Sequence, residues 1–278
     1  MKKMSEKVYL QLPAPTEEDF RSSARRITDE LRENYGTVSV PVHTLRKLYP
    51  LCQKADWRIT ATLSWNGEGW TLSNVEAGDP TSRHYGLAAD LGSTTVVMEV
   101  VDLTSGTVVA TKTAVNGQVA YGNEILSRIF SSHEHPEILE KIRMATISTI
   151  QSLVEDLSEE VNYDLKSCGM MVISGNTTMM HFLLGLDAFT VFMSPYATVT
   201  TEPGFIPARD LGLDLAGMVY VVPSKSNYVG GDITSGAVAL GLTRSEEINV
   251  FLDIGTNGEL LMGNRDFMVA GAWAAGPA

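Results

Sequence analysis

The sequence contains little cysteine and no cysteine pair with the spacing of a metal site. Cys52 and Cys168 are the two cysteines in 278 residues, and they lie in different regions of the chain. We therefore predict two buried thiols rather than a disulfide bridge or metal ligands.

Basic residues and long apolar segments are also scarce. The 21 Lys and Arg residues are outnumbered by 33 Asp and Glu residues, which gives a formal net charge of −12. A nucleic-acid or anionic-membrane surface would need clustered cations, so neither partner is expected. A membrane-spanning helix needs a run of about 18 apolar residues, and the sequence contains no such run. The apolar segment near the start of the sequence is too short for the core of a signal peptide. We therefore predict a cytoplasmic protein.

Two similar motifs stand out in what the chain does contain. Each begins with an aspartate at the end of an apolar run and continues with glycine and small polar residues. The first contains Asp90, Gly92, Ser93, Thr94 and Thr95, and the second contains Asp253, Gly255, Thr256, Asn257 and Gly258. Glycine lets backbone N–H groups approach an anion, and hydroxyls and amides add donors. One copy is typical of a hairpin turn, but two in matching contexts predict two clamps on one nucleoside triphosphate.

The elements around these motifs alternate between strands and helices. Alternating β-branched residues predict a three-stranded meander, and apolar periodicity predicts helices after it. The strands are predicted at residues 86–90, 96–101 and 107–113, and the helices at 122–130 and from Pro136 onward. A buried strand at 170–173 and a helix of small residues at 230–241 precede the second motif. Three short strands are then expected at 250–253, 258–262 and 267–270.

The first 84 residues are predicted to form a separate α+β unit. Thr16 and Asp19 resemble a capping box ahead of apolar residues at helical spacing, beginning with Phe20. Alternating segments that begin at Trp57 and Trp70 flank a turn, which predicts a β-hairpin with one apolar face.

In this order the parts resemble the ATP-dependent reductive activators of corrinoid proteins, which have the actin-like ATPase fold. The matching positions are residues 12–19, 85–95, Asn116, 120–122, 127–129, 174–179, 230–232, 253–259 and 275–278. The resemblance implies an α/β protein with a small α+β domain at 1–84, a first actin-like (ribonuclease-H-like) domain at 85–248 and the start of a second at 249–278. It also implies that the protein uses ATP to return the cobalt of a corrinoid methyltransferase partner from Co(II) to Co(I).

The resemblance assigns roles to single residues. Asp90 and Asp253 would hold Mg²⁺ through water, and the two glycine-containing motifs would contact the phosphates. Asp232 would position water or Mg²⁺ beside Gly230 and Gly231, at the start of a helix that resembles the connecting helix of the actin-like fold. Alternatives stay open at this point: Asp232 as a helix N-cap, and Asp90 and Asp253 as residues that cap turns.

The chain departs from the family pattern in two respects. Members carry an iron–sulfur electron donor, and two isolated cysteines cannot ligate a cluster that needs four thiolates in most forms. An external low-potential donor is therefore expected. The chain also ends before the expected adenosine-contacting segment, so we expect a fragment that binds ATP–Mg weakly or not at all and is inactive alone.

Two other functions remain open from the sequence. A small-molecule kinase of the same fold would need a substrate base and a sugar-shaped cleft. A non-catalytic nucleotide-binding or scaffold protein would need neither. Whether the chain forms a homodimer is also left open.

Overall fold

The computed structural model describes residues 3–254 and 257–274, and the strands of this part form three sheets. The strands are β1 (Ser5–Gln11), β2 (Val38–Ser39), β3 (Arg58–Trp65), β4 (Trp70–Ala77), β5 (Tyr85–Leu91), β6 (Thr95–Asp102), β7 (Thr107–Val115), β8 (Met170–Gly175), β9 (Gly204–Pro207), β10 (Met218–Val221), β11 (Asn249–Ile254), β12 (Asn257–Gly263) and β13 (Met268–Ala274). The α-helices are α1 (Ser23–Tyr35), α2 (Val42–Lys54), α3 (Ile125–Glu134), α4 (Pro136–Glu160), α5 (Thr177–Leu184), α6 (Phe189–Phe192) and α7 (Gly231–Ala239).

The first sheet has the strand order β1-β3-β4-β2, with α1 and α2 packed against it. The predicted hairpin is present as β3 and β4, but its faces differ from the expectation. The apolar face of β3, with Ile59, Ala61 and Leu63, joins the core of this unit. The opposite face carries small polar residues that are also buried, and there the Ser64 hydroxyl donates to the Gly169 carbonyl at 2.6 Å. The second face is therefore covered by the following part of the chain.

The start predicted for helix α1 from the sequence, at Thr16, was wrong. The helix begins at Ser23, and the Ser22 hydroxyl caps it by accepting from the Arg25 N–H at 3.2 Å. The Thr16 hydroxyl accepts instead from the Asp19 N–H in a local turn. Phe20, expected on the buried face, is 86% exposed because it lies before the helix. Strand β1 was not predicted, since its burial depends on pairing with β3.

The second sheet contains six strands in the order β7-β6-β5-β8-β10-β9. Strands β5, β6 and β7 form the predicted antiparallel meander, whereas β8 pairs in parallel with both β5 and β10. Helix α4 begins at Pro136, as predicted, and buries Ile142, Ile147 and Ile150 against the sheet. The helix expected at residues 122–130 starts later, at Ile125, because Gly122 has a φ of 148° and ends a preceding 3-10 turn.

The third sheet has the order β11-β12-β13 and packs against α7, whose predicted position is confirmed. Close packing explains the small residues of α7: a Cβ at Gly236 would lie 2.7 Å from a ring carbon of Phe251. Cys52 and Cys168 are buried free thiols in the cores of the first and second sheets, as predicted. Within the described residues, no helix is long and apolar enough to cross a membrane.

Candidate functional site

The carboxyl ends of β5, β8 and β10 meet at one edge of the second sheet. Asp90 in β5 is the register partner of Ser174 in β8, and Leu91 is the partner of Gly175. Parallel strands of α/β sheets commonly bind ligands at this edge, because the chain leaves the sheet there and exposes loops and helix N-termini. The first predicted motif therefore lies at the expected position for a ligand.

The turn that follows β5, together with the first residue of β6, is here called the Gly92 loop and comprises residues 92–95. The Gly92 N–H donates to the Thr95 carbonyl at 3.0 Å and closes the turn. A Cβ at Gly92 would lie 2.7 Å from that carbonyl oxygen, so this position favours glycine. The loop is compact and holds its residues between two strands of the sheet.

Protein donors bind every carbonyl of the Gly92 loop. The Asn116 amide donates to the Gly92 carbonyl at 2.8 Å, and the Asn116 backbone N–H donates to the Thr94 carbonyl at 2.8 Å. The Arg128 guanidinium donates to the Ser93 carbonyl at 2.6 Å. Within the described residues, the backbone N–H groups of Ser93 and Thr94 have no protein acceptor. Two free N–H groups at a turn are the donors of an anion-binding nest.

Helix α7 forms the second wall of the site. Its N-cap is Gly230, so Asp232 lies in the first turn and the N-cap alternative for Asp232 is wrong. The Asp232 carboxylate accepts from the Ile233 N–H at 2.8 Å. Glycine is required before it: a Cβ at Gly230 would lie 2.5 Å from Asn176 Cα, and one at Gly231 would lie 2.7 Å from the Val222 carbonyl oxygen. The start of α7 therefore packs directly on the ends of β8 and β10.

The second motif lies on the β11–β12 hairpin. Asp253 is within β11 and faces Glu259 of β12 as its register partner. Gly258 is buried, and a Cβ there would lie 2.4 Å from the Trp273 ring. Gly255 and Thr256, and the side chain of Asn257, lie outside the described residues. Asp90 and Asp253 both lie near the carboxyl ends of their strands, β5 and β11.

Four carboxylates from four elements interact electrostatically at this site: Asp90 in β5, Asp232 in α7, Asp253 in β11 and Glu259 in β12, here called the carboxylate cluster. Burial, together with the charges of Asp90 and Asp253, raises the pKa of Asp232 to about 6. Burial, with the charges of Asp232 and Asp253, raises the pKa of Glu259 to about 7. The pKa of Asp90 is also raised, by desolvation between the walls and by Asp253. Mutual repulsion of this kind favours a cation among the four groups.

Glu259 gives a testable pH dependence of stability. Its pKa is raised in the folded protein, so the folded state holds a proton that the unfolded state releases. The resulting stabilisation is complete below about pH 4.5 and is lost as the pH rises through about 7. We expect Glu259→Gln to raise the melting temperature at pH 8 by roughly 2–4 °C and to change it little at pH 4.5. Thermal unfolding at both pH values measures this difference.

Glu247→Gln is the matched control for this prediction. Glu247 is an exposed glutamate in the segment before β11, outside the carboxylate cluster. Its substitution should shift the melting temperature equally at both pH values. An equal shift for Glu259→Gln would contradict the repulsion described above.

Three residues that sequence reasoning assigned no role belong to this site. Glu259 follows from the hairpin register, because the pairing that places Ile254 opposite Gly258 also places Glu259 opposite Asp253. Asn116 and Arg128 are distant from the Gly92 loop in sequence and are brought beneath it by the fold. The pattern of strands could have revealed Glu259, whereas no local signal marks Asn116 or Arg128 as partners of that loop.

Comparisons with known proteins agree along the whole chain. Three family models match in order: the RACo linker region over residues 1–82, the RACo middle region over 85–245, and the C-terminal domain of RACo, the ASKHA domain, over 247–278. Among curated proteins, the corrinoid activation enzyme RamQ of Eubacterium limosum is 34% identical over 196 residues, which are 70% of this chain and 33% of RamQ.

Among solved structures, a reductive activator for a corrinoid, iron-sulfur protein aligns with a TM-score of 0.85 at 37% identity. The alignment covers 99% of this chain and 44% of that one. The chain thus spans a third of RamQ and less than half of the solved protein. Together with the ASKHA match, this similarity confirms the predicted α/β fold of actin-like type with a small preceding domain.

Proposed function

The chain belongs to the RACo family, and from this premise we propose that it is the nucleotide-binding part of a protein that reduces a corrinoid protein at the expense of ATP. The observation that carries the proposal is the juxtaposition in one site of two free backbone N–H groups at the Gly92 loop and four carboxylates. The two N–H groups suit the phosphates of ATP, and the four carboxylates suit a cation bound with those phosphates.

The residues present fit a polyphosphate with a hydrated Mg²⁺ ion. Ser93 and Thr94 would donate their N–H groups to phosphate oxygens. Among residues 3–254 and 257–274, no three His, Cys, Asp or Glu side chains are close enough to share a metal ion directly. Asp90 and Asp253 would therefore contact Mg²⁺ through water. Mg²⁺ bound with ATP would supply positive charge to the phosphates.

Asp232 and Glu259 suit the handling of the attacking water. Their pKa values of about 6 and about 7 lie near neutral pH, where a carboxylate can accept a proton and release it again. Asp232 is also fixed by its bond to the Ile233 N–H. We assign to these two groups the orientation of the water that attacks the terminal phosphate, which gives ADP and phosphate.

The chain does not fit an iron–sulfur cluster. Its two cysteines are buried in the cores of two different sheets, and a cluster needs four thiolates in most forms. The electron that converts Co(II) to Co(I) must therefore come from a low-potential donor outside this chain. ATP hydrolysis would supply the free energy for the conformational change that makes this reduction feasible.

We expect the complete gene product to restore the Co(I) absorbance of an oxidised corrinoid protein when ATP and a low-potential donor are present. Coupling requires the corrinoid protein to favour the closed, hydrolysing state, so its addition should also raise the ATPase rate. Anaerobic absorbance spectroscopy and a phosphate-release assay on one preparation measure both effects. Omission of ATP is the control.

A small-molecule kinase of the same fold would give a different result. Acetate, glycerol and sugars should yield no phosphorylated product in the same preparation. Stoichiometric phosphorylation of one of them, with no effect of the corrinoid protein on ATP hydrolysis, would replace the activator proposal with the kinase.

A further inference from the structure

Three buried side chains lie beneath the Gly92 loop and come from one segment after β7. Asn116, Gln118 and Arg128 are each 0% exposed. Arg128 donates to the Ser93 carbonyl at 2.6 Å, to the Gly122 carbonyl at 2.7 Å and to the Gln118 amide oxygen at 3.3 Å. One guanidinium thus joins the loop to the 3-10 turn that precedes α3.

Contacts on the carbonyl side of a peptide decide where its N–H points. A trans peptide is planar, and its C=O and N–H bonds point in opposite directions. Because Arg128 binds the Ser93 carbonyl, the Thr94 N–H in the same peptide must point away from the protein interior. The Asn116 amide does the same for the peptide that joins Gly92 to Ser93. The two free N–H groups are therefore aimed by these side chains.

The charge of Arg128 has no counterpart within the described residues. No carboxylate pairs with its guanidinium, and one Nη atom is buried without a hydrogen-bond partner. Burial lowers the pKa of this arginine. An isolated buried charge is costly unless something compensates it. An anion on the Gly92 loop would lie on the other side of the peptide that Arg128 binds.

We propose that Arg128 is a positioning residue for polyphosphate: it fixes the Ser93–Thr94 peptide with its N–H toward the ligand and places a positive charge behind it. This inference rests on the proposed function, because it takes the Gly92 loop as the phosphate site. Arg128 does not touch the ligand and acts through the loop.

The test compares inorganic tripolyphosphate binding by the 278-residue chain and its variants, measured by calorimetry. We expect Arg128→Met to weaken binding on the order of 10-fold to 100-fold, since a charge-assisted hydrogen bond and a nearby charge are both lost. Arg128→Lys keeps the charge but cannot make all three contacts, so an intermediate loss is expected. If Arg128→Met does not fold, the Lys variant carries the comparison.

Arg26→Met is the matched control. The Arg26 side chain is also 0% exposed and donates to Asp19 at 2.7 Å, but it lies in the unit of the first sheet. The Arg26→Met substitution should lower the melting temperature without changing the affinity for tripolyphosphate. Equal affinities for Arg128→Met and Arg26→Met would overturn the inference.

Amide hydrogen exchange at Ser93 and Thr94 separates the inference from the proposed function. The exchange rates of these two N–H groups in Arg128→Met should differ at least severalfold from those in Arg26→Met, because Arg128 no longer fixes the Ser93–Thr94 peptide. If the unsubstituted chain did not bind tripolyphosphate and the complete gene product did not bind ATP, the proposed function would fail. Unchanged exchange rates at Ser93 and Thr94 in Arg128→Met would overturn the role of Arg128, whatever the outcome for the proposed function.

Discussion

Asp90→Asn and Asp253→Asn are each expected to lower ATP turnover by the complete gene product on the order of 10²-fold or more. Each substitution removes a negative oxygen that would orient the water around Mg²⁺, and the attacking water loses its alignment. Neither substitution should destabilise the protein, because the Asp90 carboxylate accepts no hydrogen bond from the described residues and its charge is repelled by Asp253. Steady-state phosphate release and thermal unfolding measure the two quantities.

Asp102→Asn serves as the control for these variants. Asp102 is at the end of β6 remote from the Gly92 loop, and its carboxylate accepts from Thr104 in a surface turn. Turnover should stay within about twofold of the unsubstituted protein. Near-normal turnover in Asp90→Asn at saturating Mg²⁺ would remove Asp90 from the catalytic site.

Gly175→Ala is expected to destabilise the protein by roughly 3 kcal/mol. A Cβ at this position would lie 2.6 Å from the Leu91 carbonyl oxygen and 2.8 Å from the Met180 methyl group. The first contact is with backbone, so β5 and β8 would have to move apart where Asp90 and Ser174 are paired. Chemical denaturation measures the free energy of unfolding, and phosphate affinity should fall with it.

Gly271→Ala is the matched substitution for this prediction. Gly271 is also a strand glycine, in β13, and a Cβ there would meet nothing within 4 Å. Its effect on the free energy of unfolding should stay within about 0.5 kcal/mol. Equal effects of the two substitutions would show that backbone crowding at Gly175 does not limit the packing of β5 on β8.

Most elements around the site could be predicted because their signals are local. The meander β5–β7 follows from alternating β-branched residues, and α4 follows from Pro136 and apolar periodicity. Elements whose burial depends on distant partners were missed or misplaced. Strand β1 is held in the sheet by its pairing with β3, and α1 begins at Ser23, after the Ser22 cap, rather than at the Thr16 turn. Local patterns do not contain that information.

The candidate site divides in the same way. The sequence by itself determined the two Asp–Gly motifs, the small residues of α7 and the family resemblance, because these depend on residue type and spacing. Only the tertiary structure decided that Asp232 lies in the first turn of α7, that Glu259 joins three aspartates, and that Arg128 binds the Ser93 carbonyl. Those facts depend on the register of the β11–β12 hairpin and on the packing of the helices. Arg128 in α3, for example, is 35 residues from Ser93 in the sequence. Repulsion and hydrogen bonding act through space, so spacing along the chain cannot fix them.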